Sequence, residues 1–253
     1  MEVHHHPQLK HEPKPWKEYI LEYFMIFLAV MTGFFAESLR EHLSDRGKET
    51  EYMRSMVEDL KADTAEVIKA EAGLRQVNLV IDTMLTCLKS NNPDPGALVH
   101  AVSRNFWTYS GFSYNNRTIQ QLKSSGYFRL IGNKAVADSI LKYDNLENAF
   151  ILNEYNDLKG TLMTYKNIEA KVINYKELSA FDADIQGFSD SDFAPANKPA
   201  LVTTDKQVLA SYYNSLFIHG SLCHTFSKNL KHSQALATRL IAFIKKEYKL
   251  KDE

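Results

Sequence analysis

Cysteine, proline and glycine are scarce in this chain, with 2, 7 and 10 residues among 253. So few cysteines exclude a disulfide-stapled scaffold. So little glycine and proline excludes collagen-like and low-complexity chains, and the 44% hydrophobic content excludes a mostly disordered one. A charge excess of either sign is also missing. Lysine and arginine total 30 against 31 aspartate and glutamate, for a formal net charge of −1. Nucleic-acid binders carry a basic excess, so no nucleic acid is expected as a partner. Motifs that carry chemistry are sparse as well. HExxH, CxxC, an EF-hand loop, GxSxG and GxGxxG do not occur, so neither an enzyme nor a cofactor site is expected.

What is present is one long apolar run. Phe24 to Ala36 reads FMIFLAVMTGFFA without a charge, and Tyr19 to Ser38 is twenty residues with Glu22 and Glu37 near its two ends. A helix of that length spans about 30 Å, the hydrocarbon thickness of a bilayer. Both carboxylates would sit near the headgroups, and Trp16, Tyr19 and Tyr23 cluster at one end as interfacial anchors do. A buried helix of a soluble protein is the alternative, because the uncharged run is only thirteen residues. The run is apolar on every side, which favours the bilayer. Phe34 and Ala36 do not make a small-x-small cleavage site, so the segment reads as an uncleaved anchor. Within it, Ala29 with Gly33 and Thr32 with Ala36 are small-xxx-small pairs, a spacing that lets two membrane helices approach closely. Glu22 and Glu37 are also the residues that would ring an opening if the chain formed an oligomeric pore.

Lysine and arginine flank both ends (Lys10, Lys14 and Lys17; Arg40, Arg46, Lys48 and Arg54), so charge does not decide orientation. A short tail before an anchor most often stays in the cytoplasm. The expected organisation is a flexible tail over 1–18, a transmembrane helix over 19–38 and a periplasmic helical domain over 39–253.

Beyond residue 40 helical periodicity dominates. Met53, Val57, Leu60, Val67, Leu74, Ile81, Leu85 and Leu88 form a near-heptad seam interrupted by Thr64, Glu71 and Asn78. The helix carrying it spans about Gly47 to Lys89, continues from the membrane helix if Gly47 allows, and stops at NNPDPG. A short helix over 97–105, an irregular aromatic segment over 106–117 and a second short helix over 115–125 capped by Gly126 follow. A second long helix carries Val136, Ile140, Tyr143, Phe150, Ile151, Tyr155, Leu158, Leu162, Tyr165, Ile168, Val172 and Tyr175. After an acidic loop over 182–204, a last helix starts at Asp205, an N-cap, with Gly220 a possible break. The expected fold is all-α: an N-terminal transmembrane helix continuing into an elongated antiparallel bundle, with the short helices closing one end.

The segment KEYILEYFMIFLAVMTGFFAESLREHLSDRGKETEYMRSMVEDL resembles the start of uncharacterised single-pass membrane proteins common in Bacteroidetes bacteria, which often open with a histidine cluster, as EVHHHP does here. TIQQLKSSGYFRLIGNKAVADSILKYDN resembles their recurring helix, Ser-Gly turn and helix ending in tyrosine, through Leu122, Ser125, Gly126, Leu130, Ile131, Asn133, Ile140 and Tyr143. The resemblance covers about residues 1–160. It implies an inner-membrane anchor and a helical domain and brings no known activity.

Other candidates are weaker. His4, His5, His6 and His11 lack a fixed geometry for a metal, and His219 and His224 are five apart, off a common helical face. Asp182, Asp184, Asp190 and Asp192 lack the glycine and glutamate of a calcium loop. Cys87 and Cys223 fall on apolar faces as buried thiols, with a disulfide the alternative outside the cytoplasm. Phe106, Trp107, Tyr109, Phe112, Tyr114 and Arg117 are read first as core, with a ligand or partner surface the alternative. The function expected is a membrane-anchored structural or interaction module whose partners are the lipid bilayer and either a second copy or another membrane protein. A ligand-sensing or partner-binding subunit is the runner-up, and a pore component ranks below it.

Overall fold

The computed structural model describes residues 15–90, 93–105, 111–175 and 201–251. The tail over 1–14, most of the acidic loop, and Phe106, Trp107 and Tyr109 of the aromatic segment lie outside the described residues. The fold is all-α. Among the described residues the sole β pairing is an isolated antiparallel bridge between Ile173 and Leu201.

Among the described residues six helices follow in order: α1 (Trp16–Lys89), α2 (Pro95–Asn105), α3 (Arg117–Ser124), α4 (Lys134–Leu146), α5 (Leu152–Glu169) and α6 (Lys206–Tyr248). A 3-10 turn, Tyr127–Leu130, precedes α4, and a π turn, Glu147–Ile151, joins α4 to α5. The chain divides into two units, Met1–Glu51 and Tyr52–Glu253.

In the first unit, α1 begins right after Pro15 and meets no proline before residue 93. Gly47 does not interrupt it. Among the described residues α1 is the one helix long and apolar enough to cross a membrane, and none of the qualifying segment is buried. Tyr19, Ile20, Leu21, Tyr23, Phe24, Met25, Ile26, Phe27, Leu28, Val30, Phe34 and Phe35 are all exposed.

The second unit is built on three successive apolar clusters. The first joins Met53, Met56, Val57 and Leu60 of α1 to Ile119 and Leu122 of α3, Val136, Ile140 and Tyr143 of α4, and Ala237, Leu240 and Ile244 of α6. The second joins Val67, Ala70, Leu74, Val77 and Ile81 to Phe112, to Ile151, Tyr155 and Leu158, and to Cys223, Phe226 and Leu230. The third joins Val80 and Met84 to Leu98, Val99, Ala101 and Val102 of α2, to Tyr165, Val172 and Ile173, and to Tyr212 and Leu216. α1 and α4–α5 meet these clusters in the same sequence order and α6 in reverse. α6 therefore runs antiparallel to both, as the stripes predict, while α1 and α4–α5 run parallel to each other. The reason is the segment between them. It packs Leu98 in the third cluster, Phe112 in the second and Ile119 in the first, so the chain returns along the bundle before α4 starts. For the same reason the short helices do not close one end together, since α2 packs in the third cluster and α3 in the first.

Local chemistry explains the boundaries. Asp94 accepts the Gly96 N–H at 2.9 Å and Pro95 opens α2, where its missing donor costs nothing. Gly126 takes a left-handed φ of 70° after α3. Asn133 caps α4 through Ala135 N at 3.0 Å, and Asp205 caps α6 through Gln207 N at 2.7 Å. Three details differ from expectation. Gly220 does not break α6; it lies where an added Cβ would come 3.0 Å from Ile81 Cγ2, so it serves close approach of α6 to α1. α5 ends at Glu169, and Val172 and Tyr175 lie beyond it, where Val202 N–H donates to Val172 O at 2.8 Å. Phe150 is exposed, because the π turn rotates it out of the stripe.

Candidate functional site: a buried carboxylate network

Asp59 and Asp63 stand one helical turn apart on α1, on the face that carries Met56, Leu60 and Val67, and both are buried. Asp144 at the end of α4 and Glu147 at the start of the π turn are buried with them, giving four carboxylates at 0–2% exposure. Carboxylates are rarely this buried unless paired. Asp59 Oδ2 accepts the Thr118 N–H at 2.8 Å, and its Oδ1 accepts Arg117 Nη2 at 2.7 Å and Asn115 Nδ2 at 3.2 Å. Asp63 accepts the Asn115 N–H and the Tyr143 hydroxyl, each at 2.8 Å. Asp144 accepts the Tyr114 hydroxyl and Asn148 Nδ2 at 2.9 Å each, and pairs with Lys123. Glu147 Oε1 accepts from Ser233 of α6, while its buried Oε2 has no hydrogen-bond partner.

The arrangement explains α3. Its N-cap, Asn116, makes no side-chain cap bond. Asp59 of α1 supplies the missing acceptor to Thr118, so the helix is capped by a residue remote in sequence. Electrostatics divides the four acids. Asp59 and Asp144 have a cation each, Arg117 and Lys123. Asp63 and Glu147 have only neutral donors. Burial pushes Asp63 up to about 6, and the neighbouring charges of Asp59 and Glu66 add to it against the Asn115 and Tyr143 bonds. Burial likewise pushes Glu147 up to about 7, with the hydroxyls of Ser233 and Tyr143 opposing and the charges of Asp63 and Asp144 adding. The Tyr114 and Tyr143 hydroxyls are held far above their ordinary value by burial and these same carboxylates, so they act as permanent donors.

Two further polar sets lie along the bundle. Glu169, fully buried, accepts Tyr212 at 2.7 Å, Lys166 at 2.8 Å and Tyr175 at 3.0 Å. His219 Nδ1 is 2.8 Å from Thr161 Oγ1, and its Nε2 is 3.6 Å from Cys223 Sγ. This has the outline of a nucleophile, base and orienting group. Burial defeats it, pushing the thiol up to about 12 and the imidazole down to about 4, the latter helped by the Lys166 charge. Neither side chain is accessible, so the pair is core packing.

The other sequence candidates divide. Ala29, Thr32, Gly33 and Ala36 are exposed on α1, with Thr32 Oγ1 donating to Leu28 O at 2.7 Å. Glu22 and Glu37 are exposed there too, Glu37 paired with Arg40. Phe112 and Tyr114 do not form a surface: Phe112 is buried edge-on to Phe226 at 6.2 Å, and Tyr114 meets Tyr143 at 6.0 Å. Arg117 is spent on Asp59. Cys87 and Cys223 are free thiols, so the disulfide alternative is corrected; Cys223 packs in the second cluster while Cys87 packs against the third. Among the described residues no group of three or more histidine, cysteine or acidic side chains is placed to hold a metal.

The residues missed from sequence are Asp59, Asp63, Asp144 and Glu147, while His219 is weighed there against His224 and not against Cys223. A signal existed for Asp63. The series Met56, Leu60, Asp63, Val67, Ala70, Leu74, Val77, Ile81 keeps a strict four-three spacing with one acid in it. His219 lies four residues before Cys223, a spacing that shares a face, whereas His224 does not. No family model, no curated protein and no solved structure matches the chain.

Proposed function

We propose that the chain is a membrane-anchored, non-catalytic interaction module of a bacterial inner membrane. Helix Tyr19–Ser38 lies in the bilayer, the tail in the cytoplasm and residues 39–253 in the periplasm, and copies self-associate through Ala29, Thr32, Gly33 and Ala36. One observation carries the reading. Twelve large apolar side chains between Tyr19 and Phe35 are exposed around the whole circumference of α1, whereas the stripes of the second unit are packed among themselves. Holding those side chains in water costs on the order of 20 kcal/mol relative to an apolar surrounding. The run has bilayer length, its aromatics lie at one end, and its carboxylates lie near its two ends. The resemblance of its first 160 residues to single-pass proteins supports the same reading.

The test is extraction and sizing. The chain should resist alkaline carbonate extraction, and in mild detergent it should run as a dimer or larger. Gly33→Ile together with Ala29→Ile should shift it to monomer without altering its helical content. Release by carbonate removes the anchor, and a strict monomer at micromolar concentration removes self-association. A reporter fused after residue 253 reads the orientation.

A second reading, a partner-binding subunit, is favoured by a groove of about 370 Å³ between α1 and α2, lined by Leu79, Val80, Thr83, Ala97 and Ala101. Leu79→Glu tests it. The reading requires this change to release a co-purifying subunit while leaving membrane insertion intact.

A further inference from the structure

The four buried carboxylates face two cations. Arg117 reaches Asp59 and Lys123 reaches Asp144, and both lysine and arginine stems approach from the exposed side. That leaves an uncompensated charge of two if all four acids are ionised. Asp63 and Glu147 are the pair left without a cation. Around them the groups are accounted for element by element. From α1 come Asp59, Asp63 and the more distant Glu66. From the segment before and within α3 come Tyr114, Arg117 and Lys123, each already engaged with Asp144 or Asp59. From α4 come Tyr143, which donates to Asp63 at 2.8 Å, and Asp144. From α6 comes the neutral Ser233, while Lys231 of α6 is engaged with Glu71. Every hydroxyl and amide here donates to a carboxylate. The buried Oε2 of Glu147 receives nothing.

An ionised carboxylate with an unpartnered, fully buried oxygen beside a second carboxylate is a costly arrangement, and a proton removes both faults. We propose that Asp63 and Glu147 form a proton-binding site of the bundle, whose deprotonation loosens the joint between α1, the π turn and α6. The occupants are protons on Asp63 and Glu147, and the charge of Asp63 raises the proton affinity of Glu147. Glu147 is the first residue of the π turn, so it sits at the irregular joint between α4 and α5 and meets Ser233 of α6 there.

The sign follows from linkage. Both carboxyls hold their protons more tightly in the fold than in the unfolded chain. Their stabilisation is complete below the ordinary carboxylate range and is lost as pH rises through about 6 to 7. For each proton taken up on folding, the folding equilibrium constant falls about tenfold per pH unit in that window.

The experiment is denaturant unfolding of the full chain in mild detergent between pH 5 and pH 8. Wild type should lose stability as pH rises through about 6 to 7, with His219, held down at about 4 in the fold, contributing the opposite slope below its ordinary value of 6.5. Glu147→Gln, which keeps the shape and cannot ionise, should remove about one proton from the slope and be more stable than wild type at pH 8. An unchanged slope, or equal destabilisation at both pH values, overturns the proposal. If Glu147→Gln does not fold, Asp63→Asn carries the same expectation. Infrared spectra of the folded wild type supply an independent reading. A protonated-carboxyl carbonyl band present at pH 5 and bleached at pH 8 supports the site, and its absence at pH 5 overturns it. None of these readouts depends on self-association or on the orientation of the anchor.

Discussion

Asp59→Ala is the most informative single change in the bundle. The side chain is 1% exposed and accepts three hydrogen bonds, one of them from the buried Thr118 N–H that opens α3. Alanine leaves that N–H without an acceptor and out of reach of solvent, which costs about 1–3 kcal/mol. It also removes the N-terminal cap of a helix of only eight residues, a loss of about 1 kcal/mol that overlaps the first. The Arg117 pair adds less than about 1 kcal/mol, because the Arg117 side chain is 70% exposed and screened. Alanine's better helix propensity in α1 returns about 0.5 kcal/mol. The net expectation is a destabilisation of about 2–3 kcal/mol. For a chain of this size that lowers Tm by roughly 5–10 °C.

Asp59→Asn separates the contributions. Asparagine still offers a carbonyl oxygen to Thr118 but gives up the charge and the oxygen that accepts from Arg117 and Asn115, so it should cost about 1–2 kcal/mol, less than alanine. The assay is thermal unfolding in mild detergent at pH 7, followed by circular dichroism, with wild type and both variants side by side. Asp59→Ala within about 0.5 kcal/mol of wild type would refute the cross-chain cap. Asparagine as damaging as alanine would show that the charge and the oxygen that accepts from Arg117 and Asn115, not the Thr118 bond, are what α3 needs.

Two paired substitutions test the packing elsewhere. Gly220→Ala should destabilise by about 1–2 kcal/mol, because its Cβ meets Ile81 Cγ2 at 3.0 Å and overpacking outweighs the gain of about 1 kcal/mol in helix propensity. Gly160→Ala in α5, where an added Cβ meets nothing within 4 Å, should stabilise by up to about 1 kcal/mol, and the reverse ranking of the two melts would sink the close-approach argument. A thiol reagent on the folded chain should modify half-buried Cys87 at least about a hundredfold faster than Cys223, whose sulfur is buried and whose thiol is pushed up to about 12; equal rates by mass spectrometry would contradict the burial of the His219–Cys223 pair.

Most element boundaries were legible because their causes are local. NNPDPG ends α1, Gly126 supplies the left-handed turn after α3, and Asp205 caps α6, each through bonds within three or four residues. The apolar run is a property of one stretch of chain and needed no partner to be recognised. The stripe of α1 was only half legible. Met53, Val57 and Leu60 belong to one near-heptad register and Met56, Leu60 and Val67 to another, and the structure buries both, since three elements pack around this helix. Thr64 looked like the polar interruption of one register, whereas Asp63 is the buried one. Nothing local marks Asp59 as buried, and Asp63 is marked only by its place in the four-three series. Their partners are 52 to 80 residues away, and only the return path of the chain brings Asn115, Thr118 and Tyr143 to them.

The π turn links the topology to the acids. Tyr143, Glu147, Ile151 and Tyr155 face inward at three successive four-residue steps. A regular α-helix with about 3.6 residues per turn would drift off the face by about one residue over that distance. One wide turn absorbs the excess, so that α4 presents Tyr143 to α1 while α5 presents Tyr155 and Leu158 to α6. The extra residue also decides which side chains leave the face, which is why Phe150 is exposed and Ile151 is fully buried. Glu147 is the first residue of that turn and the one whose second oxygen finds no donor. A regular helix through this point would place Glu147 on the same inward face but swing Tyr155 away from Phe226, against which it stacks at 6.0 Å. The irregular turn is therefore required by the packing downstream of it, and the buried carboxyl is the chemical group that sits at the irregularity.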